Sequence, residues 1–82
     1  MLHLKLTVPK PINESVIETL TAHLKAIDED FQLTSVDQRF AEAFYDCPDS
    51  SEAEFDAVRA DIQQLLKDPD PLIRGYSIDH WW

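Results

Sequence analysis

Glycine occurs once in this 82-residue chain, at Gly75. That scarcity excludes the phosphate-cradling loop, the dinucleotide fingerprint, the nucleophile elbow and the loop that clamps single-stranded nucleic acid, all of which need several glycines. Cysteine also occurs once, at Cys47, so there is neither an internal disulfide framework nor a Cys-x-x-Cys pair for a soft metal. Bases are few: 7 Lys and Arg stand against 16 Asp and Glu, a formal charge of −9. A surface of that sign repels phosphate backbones and anionic lipid, which argues against direct nucleic-acid binding and against a membrane. No apolar run approaches the roughly 18 residues that would span a bilayer, and no basic-then-apolar leader opens the chain. These absences predict a cytoplasmic protein with no cofactor and no metal. A chain this short predicts one domain, residues 1–82.

What is present divides into punctuated elements. Leu2-His3-Leu4-Lys5-Leu6-Thr7-Val8 alternates apolar and polar residues, the period of a half-buried strand. Pro9 and Pro11 end it. Asn13 is a good N-cap, Val16, Ile17, Leu20, Leu24 and Ile27 follow at helical spacing, and Ile12 can staple against Ile17. This predicts a helix over 14–27. A second helix opens on the capping box Ser51-Glu52-Ala53-Glu54, carries the stripe Phe55, Val58, Ile62, Leu65 and Leu66, and stops at Asp68-Pro69. Its acids crowd the positive end of the helix dipole. A last strand is expected over 72–80, from Ile73, Tyr76 and Ile78.

Residues 31–47 admit two readings. As a helix, Ser35-Val36-Asp37-Gln38 is another capping box; as a hairpin, 31–34 runs out, 36–39 turns and 40–47 returns. The hairpin is preferred, because the helix would leave only two strands, too few for independent stability. The chain also halves into two similar units of strand, proline and capped helix. Two such halves predict an α+β ferredoxin-like sandwich, βαββαβ, with two helices on one face of a four-stranded antiparallel sheet in the order 4-1-3-2. The third strand then buries either Phe40, Glu42 and Phe44 or the set Ala41, Ala43, Tyr45 and Cys47. In the second case Phe40 and Phe44 join Trp81 in an exposed aromatic patch.

Charge is uneven. Residues 1–27 sum to +1, residues 28–70 to −10 and residues 71–82 to zero. The acidic block and the aromatics nominate a protein-binding surface of Asp28, Glu29, Asp30, Glu52, Asp56, Asp61, Phe40, Phe44, Trp81 and Trp82. Aromatic anchors supply affinity and charges steer association. The expected function is a small non-enzymatic binding module of the adaptor, immunity or inhibitor type, whose partner protein has a basic surface. A narrower alternative is a nucleic-acid mimic that blocks a DNA- or RNA-handling protein, such as an anti-restriction or anti-CRISPR inhibitor. A third, from another class, is a small dimeric enzyme with a pocket lined by His3, Tyr45, Tyr76 or His80; a homodimer is therefore among the expectations. His3 and His80 lie in opposite phases of their strands, which disfavours a shared metal site. Cys47 reads as a structural thiol, kept protonated by its flanking Asp46 and Asp49.

Overall fold

Leucine alternation does at β1 (Leu2–Thr7) what it promises: Leu2, Leu4 and Leu6 are buried and His3, Lys5 and Thr7 lie on the other side. The computed structural model describes residues 1–9, 11–69 and 71–81. Within them β1 is followed by α1 (Glu14–Ile27), β2 (Gln32–Asp37), β3 (Glu42–Cys47), α2 (Glu52–Lys67) and β4 (Gly75–His80). The strands form one antiparallel sheet in the order β2-β3-β1-β4. Both helices lie on one face. This is the ferredoxin-like βαββαβ sandwich.

Both helix starts are capped as their sequences specify. The Asn13 side chain accepts from the Val16 amide at 3.0 Å and Ser51 Oγ from the Glu54 amide at 3.2 Å. Such caps are worth about 1 kcal/mol each. Leu20, Leu24, Val58 and Ile62 then press the two helices onto the sheet.

The third strand settles the choice of face. Ala41, Ala43, Tyr45 and Cys47 are buried beneath the helices, while Glu42, Phe44 and Asp46 lie on the uncovered face. Two alanines leave room for the helices to approach, and the Tyr45 hydroxyl, within 2.8 Å of Thr21 Oγ1, keeps a polar partner.

The preferred hairpin reading of 31–47 holds: the 35–38 capping box starts no helix, and residues 35–37 belong to β2. Two boundaries differ from expectation. The hairpin turn comes later than 36–39, because the Asp37 carboxylate accepts from the amides of Arg39 and Phe40, at 2.9 and 3.2 Å, and organises the turn after itself. The turn closes at Ala41, whose φ is 55°. The last strand begins at Gly75 rather than 72, since Thr7 is the final β1 residue it can pair with.

Candidate functional site

Topology sorts the charges. The start of β1, the ends of α1, β3 and β4 and the start of α2 all lie at one end of the sandwich, as the pairings Leu2↔Cys47 and Leu2↔His80 require. That end collects Asp28, Glu29 and Asp30 behind α1, Asp46 and Asp49 around the end of β3, Glu52 and Glu54 on the first turn of α2, and Asp79 in β4. Arg39, Lys67 and Arg74 fall at the opposite end, beside Asp37, Glu42 and Asp68, while Lys25 in the last turn of α1 stays at the acidic end, its ammonium donating to the Glu29 carbonyl at 3.4 Å. The molecule therefore has an acidic pole.

Trp81 stands at this pole. Its backbone exchanges hydrogen bonds with Met1, the Trp81 amide donating to the Met1 carbonyl at 2.7 Å and the Met1 ammonium donating to the Trp81 carbonyl. Residues 1 and 81 are thus tied together, and Trp81 is 59% exposed. Its ring meets the His3 ring edge-on, with centroids 4.7 Å apart. His3 in turn pairs with Asp46 across the β1–β3 ladder. On the same uncovered face Lys5 pairs with Glu42 at 3.3 Å, and a shallow groove of about 270 Å³ runs past His3, Phe44, Asp46, Ser77 and Asp79.

The nominated residues are not brought together as one patch. Phe44 lies mid-sheet on the open face, but Phe40 occupies the β2–β3 turn, 57% exposed, at the end away from Trp81. A six-residue strand, about 20 Å, separates the two ends. Trp82 lies outside the described residues. Glu29, Asp30, Glu52 and Asp56 are exposed. Asp56 shares its charge with Arg59 at 3.8 Å. Asp61 is withdrawn: it faces α1, where His23 pairs with it across the helix–helix contact. Asp28 is withdrawn too, into a cluster that the sequence did not signal.

That cluster joins three elements: Asp28 caps the end of α1, Cys47 ends β3 and Glu54 sits on the first turn of α2. The Cys47 thiol donates to Asp28 Oδ2 at 3.3 Å and to Glu54 Oε2 at 3.7 Å, and the Asp30 amide donates to Asp28 Oδ1 at 2.8 Å. Partial burial first, and then the neighbouring Asp28 carboxylate, push the Glu54 carboxyl up to about 7. Asp28 moves the other way: the Glu54 carboxyl and the Asp30 amide hold it below the ordinary carboxylate range. Below about pH 7 Glu54 therefore keeps its proton and donates it in a hydrogen bond to the ionised Asp28. Burial, followed by Asp28 and Glu54, pushes the Cys47 thiol up to about 12. The sequence expectation of a protonated thiol is met, but by different carboxylates. Strand alternation turns Asp46 to the open face and leaves Cys47 facing α1 and α2.

Each of the three offers a ligand atom within 4.8 Å of the others, a donor set with the reach to hold a divalent cation. Its ligand atoms are already linked through the thiol proton and the Glu54 proton, so metal binding would have to displace both. One consequence is measurable. At pH 7.5 the native thiol should react with a disulfide reagent at least tenfold more slowly than the urea-unfolded chain, because the thiolate fraction falls faster than its nucleophilicity rises. Equal rates would show that the thiol is not held in this cluster.

The enzyme alternative needs His3, Tyr45, Tyr76 and His80 in one pocket. His3 faces the open side, Tyr45 is buried under α1, Tyr76 accepts from Gln63 of α2 at 3.3 Å, and His80 meets the Phe55 ring at 4.5 Å. They are divided between the two faces of the sheet. Among the described residues no helix is long and apolar enough to cross a membrane. No family model, curated protein or solved structure matches the chain.

Proposed function

We propose that the chain is a non-enzymatic protein-binding module whose acidic pole, around Trp81, receives a basic surface of a partner protein. The supporting observation is that the fold gathers carboxylates from four elements at the end where Trp81 is exposed, and sends Arg39, Lys67 and Arg74 to the other end. Such a dipole steers a cationic partner, and a tethered indole supplies the anchor that charge alone does not. The pole is self-repelling, which favours a foreign partner over a second copy of the chain. A lone thiol and an adaptor, immunity or inhibitor role suit a cytoplasmic protein.

A nucleic-acid-mimicking version of the same reading rests on Glu52 and Asp56, exposed carboxylates one helical turn apart, about 5–6 Å, within a factor of two of the roughly 3.4 Å rise per charge along one DNA strand, although Arg59 offsets part of the Asp56 charge. One experiment tests both. The tagged protein captures partners from an extract of its source cells, alongside Trp81→Ala and the double variant Glu29→Lys, Asp49→Lys. We expect a basic protein that leaves at moderate salt and is lost by the double variant, with faster release from Trp81→Ala. Release by duplex DNA selects the mimic. Equal capture by the charge-reversed variant would overturn the reading.

A further inference from the structure

β2 is the sheet's outer edge next to β3, and its first four residues are exposed. The other edge differs: α2 reaches β4 through the Gln63–Tyr76 hydrogen bond and the Phe55–His80 ring contact. Beside β2 lies an apolar groove of about 400 Å³, floored by Ile12, Ile17, Leu33 and Val36 and flanked by Glu14 and Glu18.

Its floor depends on an irregularity. Leu33 and Val36 are three residues apart, so in a regular strand they would point to opposite faces. The β2–β3 register shifts between Leu33 and Ser35, and Thr34 bonds instead through its hydroxyl to the Phe44 carbonyl at 3.1 Å. The bulge aligns Leu33 with Tyr45 and Val36 with Ala43, both on the helix-facing side. Two apolar side chains are thereby aimed at one groove, where a regular strand would aim one. Leu33 remains 39% exposed.

Charge names the occupant. Glu14 and Glu18 are exposed and stand one helical turn apart; among the described residues they have no ion-pair partner and no base lines the groove. Two carboxylates so placed can flank one guanidinium or ammonium group. A second copy of the chain, at −9, is a poor match for this rim.

We propose that the groove between β2 and α1 is a second docking site, for a short extended segment of a partner protein that combines apolar side chains with Lys or Arg. The apolar side chains fill the space over Leu33 and Val36, the cation meets Glu14 and Glu18, and the backbone pairs with the free edge after the bulge, Ser35–Asp37. Such strand addition takes affinity from main-chain hydrogen bonds and selectivity from alternate side chains. The site is distinct from the acidic pole, so neither proposal depends on the other.

The test is selection of a random 12-residue peptide library, displayed on phage, against the immobilised protein. Selected peptides should combine aliphatic residues with Lys or Arg, and should shift the amide resonances of 33–38 and 12–18. Leu33→Asp and Glu18→Lys change exposed residues, and each should weaken the synthetic peptide at least tenfold. Glu29→Lys with Asp49→Lys, at the pole, should leave it within twofold. Failure to enrich any such peptide, resonance shifts confined to the pole, unchanged binding by both groove variants, or concentration-dependent dimerisation lost with Leu33→Asp would overturn the proposal. Circular dichroism of each variant separates lost binding from lost fold.

Discussion

Ala41→Val should destabilise the protein by about 3 kcal/mol, more than a hundredfold in the folding equilibrium. Ala41 holds φ at 55°, in the left-handed region, and is 1% exposed. A non-glycine residue there carries about 1–2 kcal/mol of strain, and a β-branched one carries more. Two added methyl groups must also enter a filled site, at about 1–3 kcal/mol. The carbonyl of Ala41 accepts from the Val8 amide at 2.8 Å, so the strain is transmitted to the β1–β3 ladder. Ala41→Gly is the informative control. It relieves the backbone but loses a buried methyl and adds unfolded-state entropy, so its net effect should stay within about 1 kcal/mol. Urea unfolding of the three proteins provides the comparison. A valine variant as stable as the wild type would mean that the turn does not close on a left-handed Ala41.

Glu54→Gln should stabilise the protein at pH 8 and make the difference from wild type vanish towards pH 5. The Glu54 carboxyl is raised from an ordinary 4.5 to about 7 in the folded chain. The folded state therefore binds the proton more tightly than the unfolded state. Its contribution is fully present below 4.5 and is lost as pH rises through about 7. Asp28 has the opposite sign: its lowered carboxyl contributes above the ordinary 3.8 and fails only as pH falls below that range. The difference for Glu54 corresponds to roughly 3 kcal/mol, which partial solvent access reduces to about 1–2. Glutamine presents an N–H to Asp28 at every pH, as protonated Glu54 does only below 7. His3 and His23 are common to both proteins and cancel in the difference. Unfolding free energies at pH 5, 6, 7 and 8 decide it: parallel profiles would mean that Glu54 and Asp28 share no proton.

These two residues also mark where sequence reading stops. The turn at Ala41 is hard to find because the usual flag is missing. A hairpin residue with positive φ is ordinarily glycine or asparagine, and the chain spends its one glycine at Gly75. The organising signal is Asp37, whose carboxylate gathers the next amides; in sequence the same residue also fits a capping box that is never used. Glu54 misleads in a similar way. It sits at the third position of a capping box, yet its carboxyl reaches Asp28 and Cys47 across the fold.

Periodicity and punctuation determined the elements. Leu2 to Leu6 could alternate only as a strand, Asn13 and Ser51 could start only helices at those positions, and two such halves have one economical way to bury their apolar stripes. The α+β sandwich and its strand order follow from that, because burial is a short-range demand written residue by residue. Grouping across elements is a different matter. Whether Asp28 meets Glu54, whether Asp61 is exposed or held by His23, and whether Phe40 stands beside Trp81 depend on which chain ends coincide and on one bulge at Thr34. Carboxylates carry no local mark of their future neighbours. Their roles were decided by the tertiary structure, since electrostatic coupling and shared protons arise only when distant segments come within a few ångströms of one another.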